Sequence, residues 1–157
     1  MIAHVYNVEI ANAISAAHLP TVIFDPNNAW NNAWHARSQA CHVHCDSAAT
    51  GQMAAGYFIR KGFTSFAFIG DLHEHNWSCW RKNAFSERLN RDNFTCWIYP
   101  SPEPDQAEWE IEKKLMIKWL KKLPKPIAIF AANDTRARQV LNACQAAKSI
   151  SPMKRPY

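Results

Sequence analysis

The sequence predicts an α/β fold built on a mainly parallel sheet, and three features carry that prediction. Short apolar runs alternate with helical stretches along the 157 residues, which is the pattern of right-handed βαβ crossovers. Two of the runs, 64–69 and 127–132, are almost continuously apolar, as strands covered on both faces are. Each run gives way to polar residues at its end, where open α/β sheets bind their ligands.

Taken in order, residues 2–5 read as a strand, 8–17 as a short helix and 21–24, after Pro20, as a buried strand. The turn-rich stretch 25–32 reads as a loop and 40–45 as a further strand. A helix over 47–60 is stopped by Gly62, and strand 63–69 ends at Gly70-Asp71. The same beat follows with helix 78–91, strand 94–99, a turn marked by Pro100, Pro102 and Pro104, helix 106–122, strand 127–132 and helix 135–147. In helix 106–122, Ile111, Leu115, Trp119 and Leu120 mark the apolar side, while Glu108, Glu110, Glu112, Lys113, Lys114 and Lys118 supply the wet face. Beyond the βα alternation there is no internal repeat, heptad or low-complexity tract.

Composition narrows the function classes. A chain that is 48% hydrophobic and 20% charged is neither disordered nor fibrous. No apolar run approaches the roughly 18 residues that span a bilayer, and the start has no secretory pattern. A soluble, cytoplasmic protein without a membrane partner is expected. The net charge of +5 is spread over the second half and the last five positions, not gathered into the stripe a nucleic-acid groove needs. Five cysteines without paired short spacing fit a reducing compartment better than a disulfide framework. Asn93-Phe94-Thr95 matches a glycosylation sequon, which has no use in an unsecreted chain.

Ligand chemistry is expected at the strand ends: Asp25, Asp46, Gly70-Asp71 with Trp77 beyond, and Asn133-Asp134. Asp46 and Asp134 read first as helix N-caps. Asn133, with its neighbour as the cap, has an amide that can donate to and accept from a hydroxyl. Arg81 stands in the first turn of helix 78–91, where the macrodipole disfavours a cation. It reads either as a surface ion pair with Asp71 or Glu74 or as a fork of donors to a ligand. Trp77, ahead of that helix, is a better candidate for a pocket wall than Trp80. Cys41, His42, His44 and Cys45 alternate faces along a strand and so do not converge on one zinc ion. No metal or cofactor is expected: the chain has no nucleophile elbow, phosphate-binding loop or dinucleotide fingerprint.

Several segments together carry a resemblance. They are Asp46-x₄-Gly51-x₂-Ala54-Ala55, the run from Lys61 to Gly70, Trp77-Ser78-x₂-Arg81-x₃-Phe85, and the run from Leu123 through Pro124, Pro126, Ile127 and Phe130 to Asn133-Asp134. In order and spacing they resemble the effector-binding domain of lac-repressor and periplasmic sugar-binding proteins, over about residues 1–152. The Trp-Ser-x-x-Arg and Ala-Asn-Asp elements are most similar to xylose-operon regulators, in which that domain precedes an AraC-type DNA-binding domain.

The resemblance implies a periplasmic-binding-protein-like fold, with a stub of the first lobe over 1–42, the second lobe over 43–152 and an irregular tail over 153–157. It implies that Arg81 and Asn133 hold the hydroxyls of a pentose, xylose first, with Trp77 packed nearby; Asp46 and Asp71 join them as strand-end candidates. Relative to that family the chain is expected to be an internal fragment. DNA contact would come only through a domain absent from it, and sheet edges would be open to self-association into a homodimer. The expected role is a non-enzymatic sugar sensor. The alternative is a small α/β enzyme acting on a sugar or sugar phosphate, with Asp46, Asp71 or His73 as acid or base.

Overall fold

The computed structural model describes residues 1–5, 8–24, 41–73, 75–103 and 108–147. Contacts group the chain into two units, Met1–Asp46 with His75–Trp77, and Ser47–Glu74 with Ser78–Tyr157. The predicted loop at 25–32 and the tail at 153–157 lie outside the described residues.

The first unit holds β1 (Ile2–His4), α1 (Val8–Ala16), β2 (Val22–Phe24) and β3 (Cys41–Val43). The strands pair in parallel in the order β1-β2-β3, with Ile2 opposite Val22 and Val22 opposite Cys41. Helix α1 seats Ala11, Ile10 and Ile14 against Val5 and Ile23. β2 was expected to be buried throughout, yet only Ile23 is; Val22 and Phe24 on the opposite face are exposed. Side chains alternate across a strand, and among the described residues α1 packs on the Ile23 face alone.

The second unit holds α2 (Ser47–Arg60), β4 (Phe66–Ile69), α3 (Asn76–Arg91) from Ser78 onward, β5 (Cys96–Ile98), α4 (Trp109–Lys122), β6 (Ala128–Ala131) and α5 (Asp134–Ala146). Its sheet runs β5-β4-β6, all parallel, with Ala67 opposite both Trp97 and Ile129. β4 is the central strand and all four of its residues are buried. Ala67 and Ile69 belong to a core with Met116, Leu120, Val140 and Ala143 from α4 and α5. Phe66 and Phe68 lead into an aromatic cluster in which Phe85 and Phe130 lie 5.1 Å apart, Phe68 and Phe130 5.5 Å, and Phe58 and Phe85 6.3 Å.

Two helices feeding this sheet end in the same device. After α2, Gly62 adopts φ +81°, its amide donates to Ile59, and the amide of Phe63 reaches back to Phe58. After α3, Asn93 adopts φ 61°, its amide donates to Asn90, and that of Phe94 reaches back to Leu89. Both are left-handed caps that close orphan carbonyls. Asn93 of the sequon therefore has a structural task. Farther up α2, Gly51 lets α3 come close: a Cβ there would run into the Arg81 carbonyl oxygen and stand 3.0 Å from the Phe85 nitrogen.

The structure corrects two helix readings. α3 begins at Asn76 rather than residue 78, so Trp77 lies in its first turn and not ahead of it. In α4 the buried face is Glu112, Met116 and Leu120, whereas Ile111 and Leu115 are half exposed. The face is turned by one residue because Glu112 has a buried cation to meet.

Candidate ligand-binding site

All three strands of the second sheet point the same way, so the segments following Ile69, Ile98 and Ala131 gather along one edge. At the β4–β5 end of that edge lies a cavity of about 540 Å³, lined among others by Gly70, Asp71, Ser78, Lys82, Tyr99 and Ser101. The Asp71 amide donates to Ser78 Oγ at 2.9 Å, and Asp71 Oδ2 accepts from the His73 amide at 3.1 Å. Asp71 thus orders its own turn at the rim of the cavity.

At the β4–β6 end, Arg81 Nη1 on α3 donates to the Ala132 carbonyl at 2.6 Å. That bond sets the guanidinium beside the backbone of Asn133. Of the two partners considered for Arg81, Glu74 lies outside the described residues. Asn133 corrects an expectation: it, and not Asp134, caps α5, its Oδ1 accepting from the Arg136 amide at 2.8 Å. Its backbone is extended (φ −151°, ψ 176°), which aims the side chain back over the helix start, while Asp134 is already helical. Oδ1 accepts one bond in that cap, and Nδ2 carries two donors besides.

Between these ends sits Arg136, only 2% exposed, whose guanidinium is 2.8 Å from the fully buried Glu112 carboxylate. Tyr99 packs edge-on against Trp119 and lies under the Arg136 guanidinium, 5.9 Å from ring centre to Cζ. Burial pushes the Tyr99 phenol up to about 12; the Glu112 carboxylate adds to the rise and Arg136 opposes it. On β5, burial pushes the Cys96 thiol up to about 11, against a hydrogen bond from Ser86.

The five candidate residues divide between the units. Asp71, Arg81 and Asn133 come to the carboxyl edge of the second sheet, Asp71 at the cavity and the other two at the β6 end. Asp46 and Trp77 group with the first unit, where the Trp77 ring stacks on His75 at 5.9 Å and 12°. Asp46 directly precedes α2. β3 exposes Cys41 and Val43 and half-buries His42, and among the described residues no three metal-ligating side chains converge. Sequence reasoning missed Lys82, Tyr99, Ser101, Glu112 and Arg136. Ser101 follows the strand at 94–99, so the strand-end rule pointed to it, whereas Tyr99 falls beyond the strand only because the strand ends at Ile98. Glu112 and Arg136 carried no signal, because a buried ion pair and a solvated one read alike in sequence.

A parallel sheet with hydrogen-bonding groups gathered at its carboxyl edge is the architecture of a small-ligand-binding domain. Residues 55–152 match the family described as "Periplasmic binding protein-like domain", and the chain belongs to that family. It is 33% identical over 114 residues to the xylose operon regulatory protein of Haemophilus influenzae, covering 71% of this chain and 29% of that protein. Identity to the xylose operon regulatory protein of Escherichia coli K12 is 26% over 106 residues, covering 66% of this chain and 27% of the relative. The chain thus spans less than a third of the length of the curated relatives it matches. Its fold is shared with the solved xylose-binding transcription activator xylR, at a TM-score of 0.76 and 23% identity, covering 94% of this chain and 38% of that one.

Proposed function

We propose that this chain is the sugar-binding effector segment of a transcription regulator, and that its ligand is a pentose, D-xylose first. The supporting observation is the Arg81–Ala132 bond, which brings a fork of donors beside the Asn133 amide at the edge where α/β sheets bind ligands. The relatives named as xylose operon regulators support the choice of sugar. In this reading Arg81 and Asn133 donate to sugar hydroxyls and Asp71 accepts from one, while Asp46 and Trp77 are candidates within the first unit. Residues 1–42 are assigned to the first lobe and 43–152 to the second.

The role is binding rather than turnover: a sugar that favours one lobe arrangement shifts the population of the whole regulator. DNA contact belongs to an AraC-type domain outside these 157 residues. The regulator works in the cytoplasm, as a homodimer. Differential scanning of the purified chain with and without millimolar D-xylose, L-arabinose and D-ribose tests the reading, because a ligand that binds only the folded state raises the midpoint. A rise specific to one pentose supports it. An unchanged midpoint with all three at saturating concentrations removes sugar binding from this chain.

A further inference from the structure

A parallel ladder fixes strands along their lengths, but the turns beyond their last residues need other ties. Among the described residues, Arg136 reaches all three of these turns. Arg136 Nε donates to the Gly70 carbonyl beyond β4 at 2.9 Å, and Nη2 reaches Ser101 Oγ beyond β5 at 3.4 Å. Its backbone amide donates to Asn133 Oδ1 beyond β6. The guanidinium is steadied in turn by Glu112 Oε1 at 2.8 Å and Gln139 Oε1 at 2.7 Å.

Stability alone does not call for this arrangement. A buried ion pair loses hydration on both partners, and a well-packed apolar pair of similar volume holds a fold as firmly or more so. The neighbourhood would accept one, since Met116, Leu120, Val140 and Ala143 already form an apolar core between α4 and α5. An apolar pair could not hold the Gly70 carbonyl and Ser101 hydroxyl together. A lysine would keep the charge but lack the planar fork that reaches both.

We propose that Arg136, clamped by Glu112, is a positioning residue that fixes the carboxyl ends of β4, β5 and β6 relative to one another and so presets the ligand edge without touching the ligand. Its functional meaning rests on the sugar-binding reading above; the positioning itself is readable without any ligand.

The test compares the intact chain with the Glu112→Leu/Arg136→Met double variant and with Arg136→Lys. Amide hydrogen exchange is followed at Asp71, His73 and Ser101, whose amides are hydrogen-bonded at these turns, and at β4 as the core reference. The double variant is expected to keep the thermal midpoint and the β4 protection while the turn amides exchange about tenfold faster. Arg136→Lys is expected to fall between the two. Unchanged turn exchange in a folded double variant overturns the proposal. If the double variant does not fold, Arg136→Lys decides, since it keeps the ion pair and loses only the fork; unchanged turn exchange there overturns it equally. D-xylose titration of the same proteins separates the two readings. An intact chain that binds no pentose removes the sugar reading, while exchange still decides the positioning. An intact chain that binds and a double variant that binds about tenfold more weakly at equal stability support both.

Discussion

Arg81 and Ala132 lie 51 residues apart in sequence, and a 2.6 Å bond from the Arg81 guanidinium to the Ala132 carbonyl joins them at the edge of the second sheet. One cation therefore has a structural bond and, in the proposed function, a ligand bond. Arg81→Ala is expected to lower stability by about 1–3 kcal/mol, the usual cost of losing a charge-assisted bond and leaving its acceptor unmatched. The same variant should abolish the pentose-dependent rise in midpoint. Urea denaturation and scanning calorimetry measure the two effects, and an Arg81→Ala chain that keeps its sugar response would remove Arg81 from the site.

Asn133 allows a cleaner separation of roles. Asn133→Asp keeps an oxygen for the Arg136 amide and removes the Nδ2 donors, so it should hold stability while losing sugar. Asn133→Ala loses both and should also lower stability by about 1 kcal/mol, the usual worth of an N-cap. Equal stability of the two variants would show that the cap contributes little here.

Gly51→Ala should be costly although alanine is the better helix former. Its Cβ meets the backbone of Arg81 and Phe85, and lies 3.2 Å from the Ala84 Cβ, so α2 and α3 must separate. Overpacking of this kind costs about 1–3 kcal/mol. A thermal midpoint equal to that of the native chain would show that the two helices yield freely.

The Tyr99 hydroxyl is buried and has no hydrogen-bond partner among the described residues. Its folded pKa of about 12 lies above the ordinary value of 10.0, so the folded state holds the proton more tightly than the unfolded chain. That contribution to stability is complete below pH 10 and is lost as pH rises through 12. Tyr99→Phe should be neutral or mildly stabilising at pH 7 and should lose less stability than the native chain between pH 10 and 12. Urea midpoints of both proteins across that range give the comparison, and parallel curves would sink it.

At Cys96, a pKa of about 11 leaves very little thiolate near pH 8, whereas Cys41 and Cys45 are exposed. Alkylation mapped by mass spectrometry should label Cys96 at least about tenfold more slowly than Cys41, since the thiolate is the reactive form. Comparable rates would show that β5 opens readily.

Element order and strand direction were legible because apolar runs and helix stops are local signals: the 47–60 helix and its stop at Gly62 were read at the residues where the structure has them. What was not legible depended on distant partners. Glu112 looked solvated because its neighbours in sequence are charged, whereas the cation that meets it, Arg136, stands on another helix. Asn133 and Asp134 are both good caps by residue type, and the extended backbone at 133 decides between them. Trp77 shifted from loop to helix because α3 starts two residues early, an error of the size that fraying helix ends produce. Arg81 and Asn133 were singled out in sequence, but what joins them is the backbone of Ala132, which no residue pattern reveals.

The position of β4 between β5 and β6 also governs how the second unit is made. Its apolar run leaves the ribosome first, yet its pairing with β6, as in Ala67 with Ile129, closes a loop of about sixty residues, and contacts so far apart in sequence form late. Until Ala128–Ala131 has been synthesised, the nascent chain carries a buried-type strand with one edge unpaired, the exposure that invites aggregation during translation. Pairing with β6 therefore closes the edge of β4 that β5 leaves open.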